Sequence, residues 1–498
     1  MKKGLFFWFS VFVTVGIIAA GVFFLGKAPE AGNPVDAIPA IDTSLPHMAM
    51  RVHENQLEAG IPERFREMAG EEGAPGVKAV EKILPLLSEA RETAGVFAWQ
   101  ENAPHLYFCS LLGKEDIESI EKGELPAGWN ADGEQVKLEP SDVAGAFKLS
   151  LEGGWDLLLR PEGKLLFAGL SAEDLDTMKQ VLGGNGERFA FDWNVESEWP
   201  AHMSLFDGGM VAQALVMDGC EVGNVPLSME MAWNNRGSEG DVRWKAKGLS
   251  DFAPEDIRNI LTPVKWSGEW YLPEPGIMSM GMAMPAEIPG TTSADVVLPE
   301  WSELLNLDAE TIIDTLKGPV LITMGGNSRM LMFSFPGFLM QLPGRGEAGK
   351  NLVMKLWEGD WNRFGLKPIP IPGFDVGGSS MTPLSLVAAA RDDMAVAGII
   401  SPGDIGDPKP LPASVVDSGE ALMWLSIDFQ RAADALETIA SAGAIADRVG
   451  VTENRDINVE EVVSLASELR SMGQVTLVIN DLENGGGTWR KPAASTED

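Results

Sequence analysis

Cysteine, tyrosine and histidine are nearly missing from this chain of 498 residues, at two, two and four copies. Two thiols are far too few to staple a small disulfide scaffold. An oxidising compartment permits one bond, between Cys109 and Cys220, but both sit in apolar runs (YFCSLL and ALVMDGC) that suit buried, inert thiols equally well. With only His47, His53, His105 and His202, imidazole-based zinc and acid–base sites have few members to draw on. The HExxH motif is absent, since His53-Glu54 has no second histidine, and so is the GxSxG elbow of a serine nucleophile. Basic residues are also short: 38 Lys and Arg face 73 Asp and Glu, for a formal net charge of −35. Phosphate contacts need those missing cations, so nucleic acid is excluded as a partner and anionic headgroups are repelled. Solubility in a crowded or saline compartment accounts for the acidity without any ligand.

The longest stretch without charge comes first. After Lys2 and Lys3, residues 4–26 (GLFFWFSVFVTVGIIAAGVFFLG) contain no ionisable group. As a helix they would reach about 34 Å, enough to span a bilayer. The run is longer than the core of a cleaved signal, and its small residues Ala19, Ala20 and Gly21 lie inside it. These features predict an uncleaved signal anchor over residues 1–27. The lysines ahead of it place the N-terminus in the cytoplasm and the body outside, in a bacterial periplasm or cell envelope, or secreted if the segment is cleaved.

The expected organisation continues with a Pro/Ala-rich extended spacer (28–60), a first α+β repeat (61–270), a Pro/Met-rich connection (271–300), a second repeat (301–490) and a polar tail (491–498). The fold class expected is α+β: two similar, mostly antiparallel sheet-plus-helix domains arising by internal duplication, behind an N-terminal transmembrane helix. The duplication rests on matched segments. Leu165-Leu166-Phe167-Ala168-Gly169 followed by Ser171 and Asp174 corresponds to Met394-Ala395-Val396-Ala397-Gly398 followed by Ser401 and Asp404. Both read as a strand, a serine N-cap and an acid three residues on. Strands at 202–206, 227–233 and 242–247 match 421–427, 474–480 and 487–490, with Trp244 and Trp489 on the last of each set. The equivalent strands at 96–99 and 320–323 are each expected to follow a helix, over 77–92 and 309–317.

Few residues carry candidate chemistry. Met278, Met280, Met282 and Met284 alternate, so in a strand their thioethers share a face, a soft set suited to Cu(I). His47-Met48-Ala49-Met50 with His53 offers a second soft cluster. Methionine also packs irregular cores, which is the plainer reading of both. Gly344-Arg345-Gly346-Glu347-Ala348-Gly349-Lys350-Asn351 nearly matches a phosphate-binding loop but puts Asn351 where the hydroxyl that holds magnesium belongs. No catalytic constellation and no cofactor emerge. The sequence therefore predicts a membrane-tethered extracytoplasmic protein with a non-catalytic binding or assembly role and a protein partner. The alternative is a carrier of an apolar ligand such as lipid, and a carboxylate-based hydrolase ranks behind both.

Overall fold

A computed structural model describes residues 33–53, 56, 90–100, 103–126, 138–151, 155–191, 199–209, 226–252, 261–284, 318–330, 333–358, 367–380, 385–448 and 459–492. The chain divides into two compact units, Met1–Phe252 and Ala253–Asp498.

The first unit is built on strands β1 (His47–His53), β2 (Glu92–Gln100), β3 (Ala103–Leu111), β4 (Glu139–Pro140), β5 (Phe147–Leu151), β6 (Trp155–Glu162), β7 (Leu165–Gly169), β8 (Ala201–Phe206), β9 (Ser228–Asn235) and β10 (Glu239–Lys247). They pair antiparallel in the order β4-β5-β6-β7-β3-β2-β1-β8-β9-β10. Helix α1 (Lys114–Glu121) follows β3, and α2 (Ala172–Leu182) follows β7. Alternation along each strand gives two buried faces. On one, Met50, Phe108, Met203 and Trp233 share a core with Ile117 and Ile120 of α1. On the other, Ala49, Val96, Cys109 and Phe167 pack with Leu175 and Met178 of α2 and with Ala37 and Ile38. Ser171 caps α2 as its sequence predicts: its hydroxyl accepts from Asp174 N–H at 3.1 Å while Asp174 accepts from the Ser171 N–H.

In the second unit, β11 (Val264–Lys265) and β12 (Glu269–Tyr271) precede the main strands β13 (Gly276–Met284), β14 (Gly318–Met330), β15 (Phe333–Pro343), β16 (Lys367–Pro368), β17 (Val376–Ser380), β18 (Leu386–Arg391) and β19 (Met394–Ile399). After the short β20 (Pro408–Pro410) and β21 (Glu420–Ala421) come β22 (Met423–Asp428), β23 (Gln474–Ile479) and β24 (Asn484–Arg490). The main order is β16-β17-β18-β19-β15-β14-β13-β22-β23-β24, again antiparallel throughout. Strand for strand, this is the order of the first unit. Helix α3 (Gly346–Glu358) stands where α1 does. The long pair α4 (Phe429–Arg448) and α5 (Val459–Met472) joins β22 to β23. β11 pairs with β21 and β12 with β20, and Trp266, Trp270 and Tyr271 from this region share a core with Leu321, Leu339 and Trp424 of the main sheet.

Several expectations need correction. The described residues are mostly β and do not form the α+β arrangement of helix-backed domains. Thr93-Ala94-Gly95, taken for a helix end, lies inside β2, where Gly95 is required because a Cβ there would stand 2.2 Å from the Phe108 ring. The helices expected at 77–92 and 309–317 lie outside the described residues, except that Glu92 opens β2. Residues 33–53 are not a spacer: Asn33 caps a 3-10 turn at Pro34–Ala37, Ile38 is fully buried, and β1 is central to its sheet. Proline and alanine content suggested extension, while the alternation in HMAMRVH that makes a strand went unread. Likewise β13 is the central strand of its unit and no connection. Among the described residues no helix is long and apolar enough to cross a membrane, so the signal-anchor expectation finds no support. Residues 4–26, on which it rested, lie outside the described residues.

Candidate functional site

The methionine row of β13 is the first candidate. Directly opposed residues of antiparallel strands point to one side, so the registers define rows across the sheet. One row runs Ile399, Phe338, Met324, Met278, Ile427, Val475; the next runs Ala397, Met340, Ile322, Met280, Leu425, Leu477. Both cross six strands without a charge or a hydrogen-bonding side chain. Met282 extends the face beside Val320 and Met423, and Met284 closes the strand opposite Gly318. Phe338 is 36% exposed, Ile399 39% and Leu477 39%, while Met278, Met280 and Met282 are half-buried. The first unit carries the same second row as Ala168, Phe108, Gly95, Met50, Met203, Met231. There it is closed, with Phe108, Met50, Met203 and Met231 all buried. One topology thus presents this face buried in one unit and half-exposed in the other, where Ile322, Met340 and Ala397 pack against a core that holds Leu352 and Val353 of α3.

The second candidate is a histidine row on the opposite face of the first unit. His47, Ala98 and His105 stand side by side on β1, β2 and β3. The His47 Nδ1 lies 2.9 Å from the Leu45 carbonyl, and a carbonyl only accepts, so this nitrogen carries the proton. The His105 Nδ1 lies 2.8 Å from Oδ1 of Asp174, a fully buried residue whose Oδ2 accepts from Leu170 N–H at 2.9 Å and Ser171 N–H at 3.1 Å. The capping box that starts α2 therefore also orients an imidazole. Tyr107 stacks on His105, with centroids 5.9 Å apart and planes 9° from parallel. Burial, then the charges of Asp174 and Glu173, push the Tyr107 phenol up to about 12.

Several other ionisable groups are committed to structure. On the histidine face, Arg51 binds Glu92 at 2.7 Å, and Arg51 and His202 are register neighbours. Burial, followed by the charges of Arg243 and Arg51, depresses His202 to about 4, with a hydrogen bond from its ring to the Trp199 backbone acting the other way. Burial also lowers His53. Arg243 lies 4.4 Å above the Trp199 ring. Lys350 of the phosphate-loop lookalike meets Asp375 at 3.0 Å and Asp392 at 2.5 Å, and these carboxylates hold its ammonium well above the usual range. A lysine so engaged does not reach for phosphate.

Among the described residues no three or more His, Cys, Asp or Glu side chains stand together as a metal cluster. The soft cluster read at residues 47–53 is divided by strand alternation, with Met48 and Met50 on the methionine face and His47 and His53 on the other. Cys109 is fully buried, and burial, reinforced by the charge of Glu92, pushes its thiol far up, so it is no nucleophile. Cys220 lies outside the described residues. Asp174 and its link to His105 escaped the sequence reading, because 69 positions separate them and the acid was already explained as a helix cap. The chain matches no protein-family model, no curated protein and no solved structure.

Proposed function

We propose that this chain is a non-catalytic extracytoplasmic binding protein whose second unit receives an apolar segment of a protein partner on its methionine face. One observation carries the reading. A row of apolar side chains that is buried in the first unit is half-exposed in the second, although the two sheets share one topology. Contiguous apolar surface of this extent marks an interaction site. Methionine suits that role because its flexible, polarisable side chain adapts to the shape laid against it. The surrounding chain, at −35, favours a partner segment whose polar flanks are basic. The extracytoplasmic placement is supported by Lys2 and Lys3 ahead of the uncharged run at residues 4–26.

The test compares the wild-type chain with Met280→Asp, which puts a carboxylate at the centre of the face. Each is used to capture material from its native envelope. A protein recovered by the wild type and lost from the variant supports the proposal. Recovery of lipid in place of protein would move the function to apolar-ligand carriage, and equal recovery by both chains would remove the methionine face from the account.

A further inference from the structure

We propose that Met278, Met280, Met282, Met324 and Met423 of the second unit form a methionine-oxidation site, at which peroxide turns an apolar face into a polar one. The five side chains make one patch. Met278 and Met324 oppose each other across β13 and β14, Met282 and Met423 oppose each other across β13 and β22, and Met280 lies between the two pairs on β13. Directly opposed residues have Cβ atoms about 5 Å apart, and alternate residues of one strand repeat every ~6.8 Å. Each thioether therefore has another within a side chain's length.

Exposure decides which thioethers an oxidant reaches. All five are half-buried, and none belongs to the two buried clusters described for their unit. The corresponding row of the first unit holds Met50, Met203 and Met231, which are 8%, 4% and 5% exposed. The chain thus contains its own control, with one residue type on one topology at two levels of exposure. Met354 on α3 and Met472 on α5, at 38% and 48%, give the rate of an open thioether.

Hydrogen peroxide is the simplest oxidant of the class. The sulfur lone pair attacks one peroxide oxygen, and an S–O bond forms as the O–O bond breaks. The departing hydroxide takes the proton of the transferred oxygen and leaves as water. Sulfur loses two electrons and peroxide gains them. The sulfoxide oxygen is a strong acceptor, yet the rows through Met278 and Met280 hold no donor side chain, and the row through Met282 continues as Val320, Met423 and Ile479. Water must solvate the new oxygen, so the oxidised face resists cover by apolar surface. Sulfoxide is reducible enzymatically, which makes the change reversible. Its consequence, release of a bound partner, rests on the reading of this face as a docking surface.

The test treats the full chain with a small excess of hydrogen peroxide, locates sulfoxides over time by peptide mass spectrometry, and follows binding of the neutral apolar dye Nile red. Sulfoxide should build at the five positions at least about tenfold faster than at Met50, Met203 and Met231, and at rates approaching those of Met354 and Met472. Dye affinity should fall about tenfold as the face oxidises and return after treatment with methionine sulfoxide reductase. A chain carrying Met278→Leu, Met280→Leu, Met282→Leu, Met324→Leu and Met423→Leu, exchanges that conserve volume, should bind the dye and lose its response to peroxide. Circular dichroism and the urea midpoint confirm that both chains are folded. Equal oxidation of the five and of the buried three, undiminished dye affinity once the five are oxidised, or the same response to peroxide in the folded leucine variant would each overturn the proposal. Partner capture is read separately: its failure with the unoxidised chain counts against docking, while the sulfoxide map and the dye decide the oxidation site.

Discussion

The side-chain amide of Gln341 on β15 and the backbone of Tyr271 on β12 hold each other by two hydrogen bonds. Tyr271 N–H donates to Oε1 at 2.9 Å, and Nε2 donates to the Tyr271 carbonyl at 2.6 Å. The amide acts as one residue of a strand, and Gln341 is fully buried. The first unit uses the same device: Gln56 accepts from Asn235 N–H at 2.8 Å and donates to its carbonyl at 3.3 Å. Gln341→Leu should leave two buried backbone groups unpaired and cost about 2–4 kcal/mol, measured as a lower urea midpoint. A midpoint within error of wild type would mean that water replaces the amide.

Trp424 packs the Nε1 side of its indole against Gly281. A Cβ at position 281 would stand 2.2 Å from the indole Nε1 and 2.8 Å from the Trp266 ring. Gly281→Ala should cost about 1–3 kcal/mol by displacing the edge-on Trp266–Trp424 pair, whose centroids are 5.9 Å apart. Loss of near-ultraviolet circular dichroism with far-ultraviolet signal retained is the expected signature. An unchanged aromatic spectrum would show that the strands part more easily than the rings.

Acid should weaken the first unit through His202. Its pKa falls from an ordinary 6.5 to about 4 on folding, first through burial and then through Arg243 and Arg51. Between those values the unfolded chain binds the proton and the folded one does not, so stability drops as pH falls from 6.5 toward 4. His53, lowered mainly by burial against the opposing charge of Glu92, acts in the same direction. His202→Gln should flatten the dependence of the unfolding midpoint on pH in that window. An unaltered slope would place the titrating group elsewhere.

The phosphate-loop lookalike should bind no nucleotide. Lys350 is held by Asp375 and Asp392, and Gly344 and Gly346, both at positive φ, serve the turn into α3. Calorimetry with magnesium and ATP should show no heat of binding, and Lys350→Met should leave the fold intact because its carboxylate partners are 56% and 90% exposed. A saturable nucleotide signal lost in the variant would reverse this assignment.

Local sequence was enough for features set within a few residues. Ser171 and Asp174 specify their capping box across three positions, and the alternation in GIMSMGMAM puts Met278, Met280 and Met282 on one face. It was misleading where composition stood in for period, as at residues 33–53, and where a helix end was expected at Thr93-Ala94-Gly95, inside β2.

Nothing in the chain order shows that His47 and His105 share a row, that Asp174 bonds one of them, or that the methionine face is buried in one unit and half-exposed in the other. Those facts depend on strand register, and register is fixed by pairing between strands tens to hundreds of residues apart, as between β13 and β22. Sequence by itself determined which side chains alternate and where α2 starts, while Ser401, the counterpart of Ser171 in the second unit, makes no side-chain cap and opens only a 3-10 turn at Pro402–Asp404. Tertiary structure alone decided which faces meet protein and which meet solvent, because burial is a property of what packs on a face, and local pattern carries no record of it.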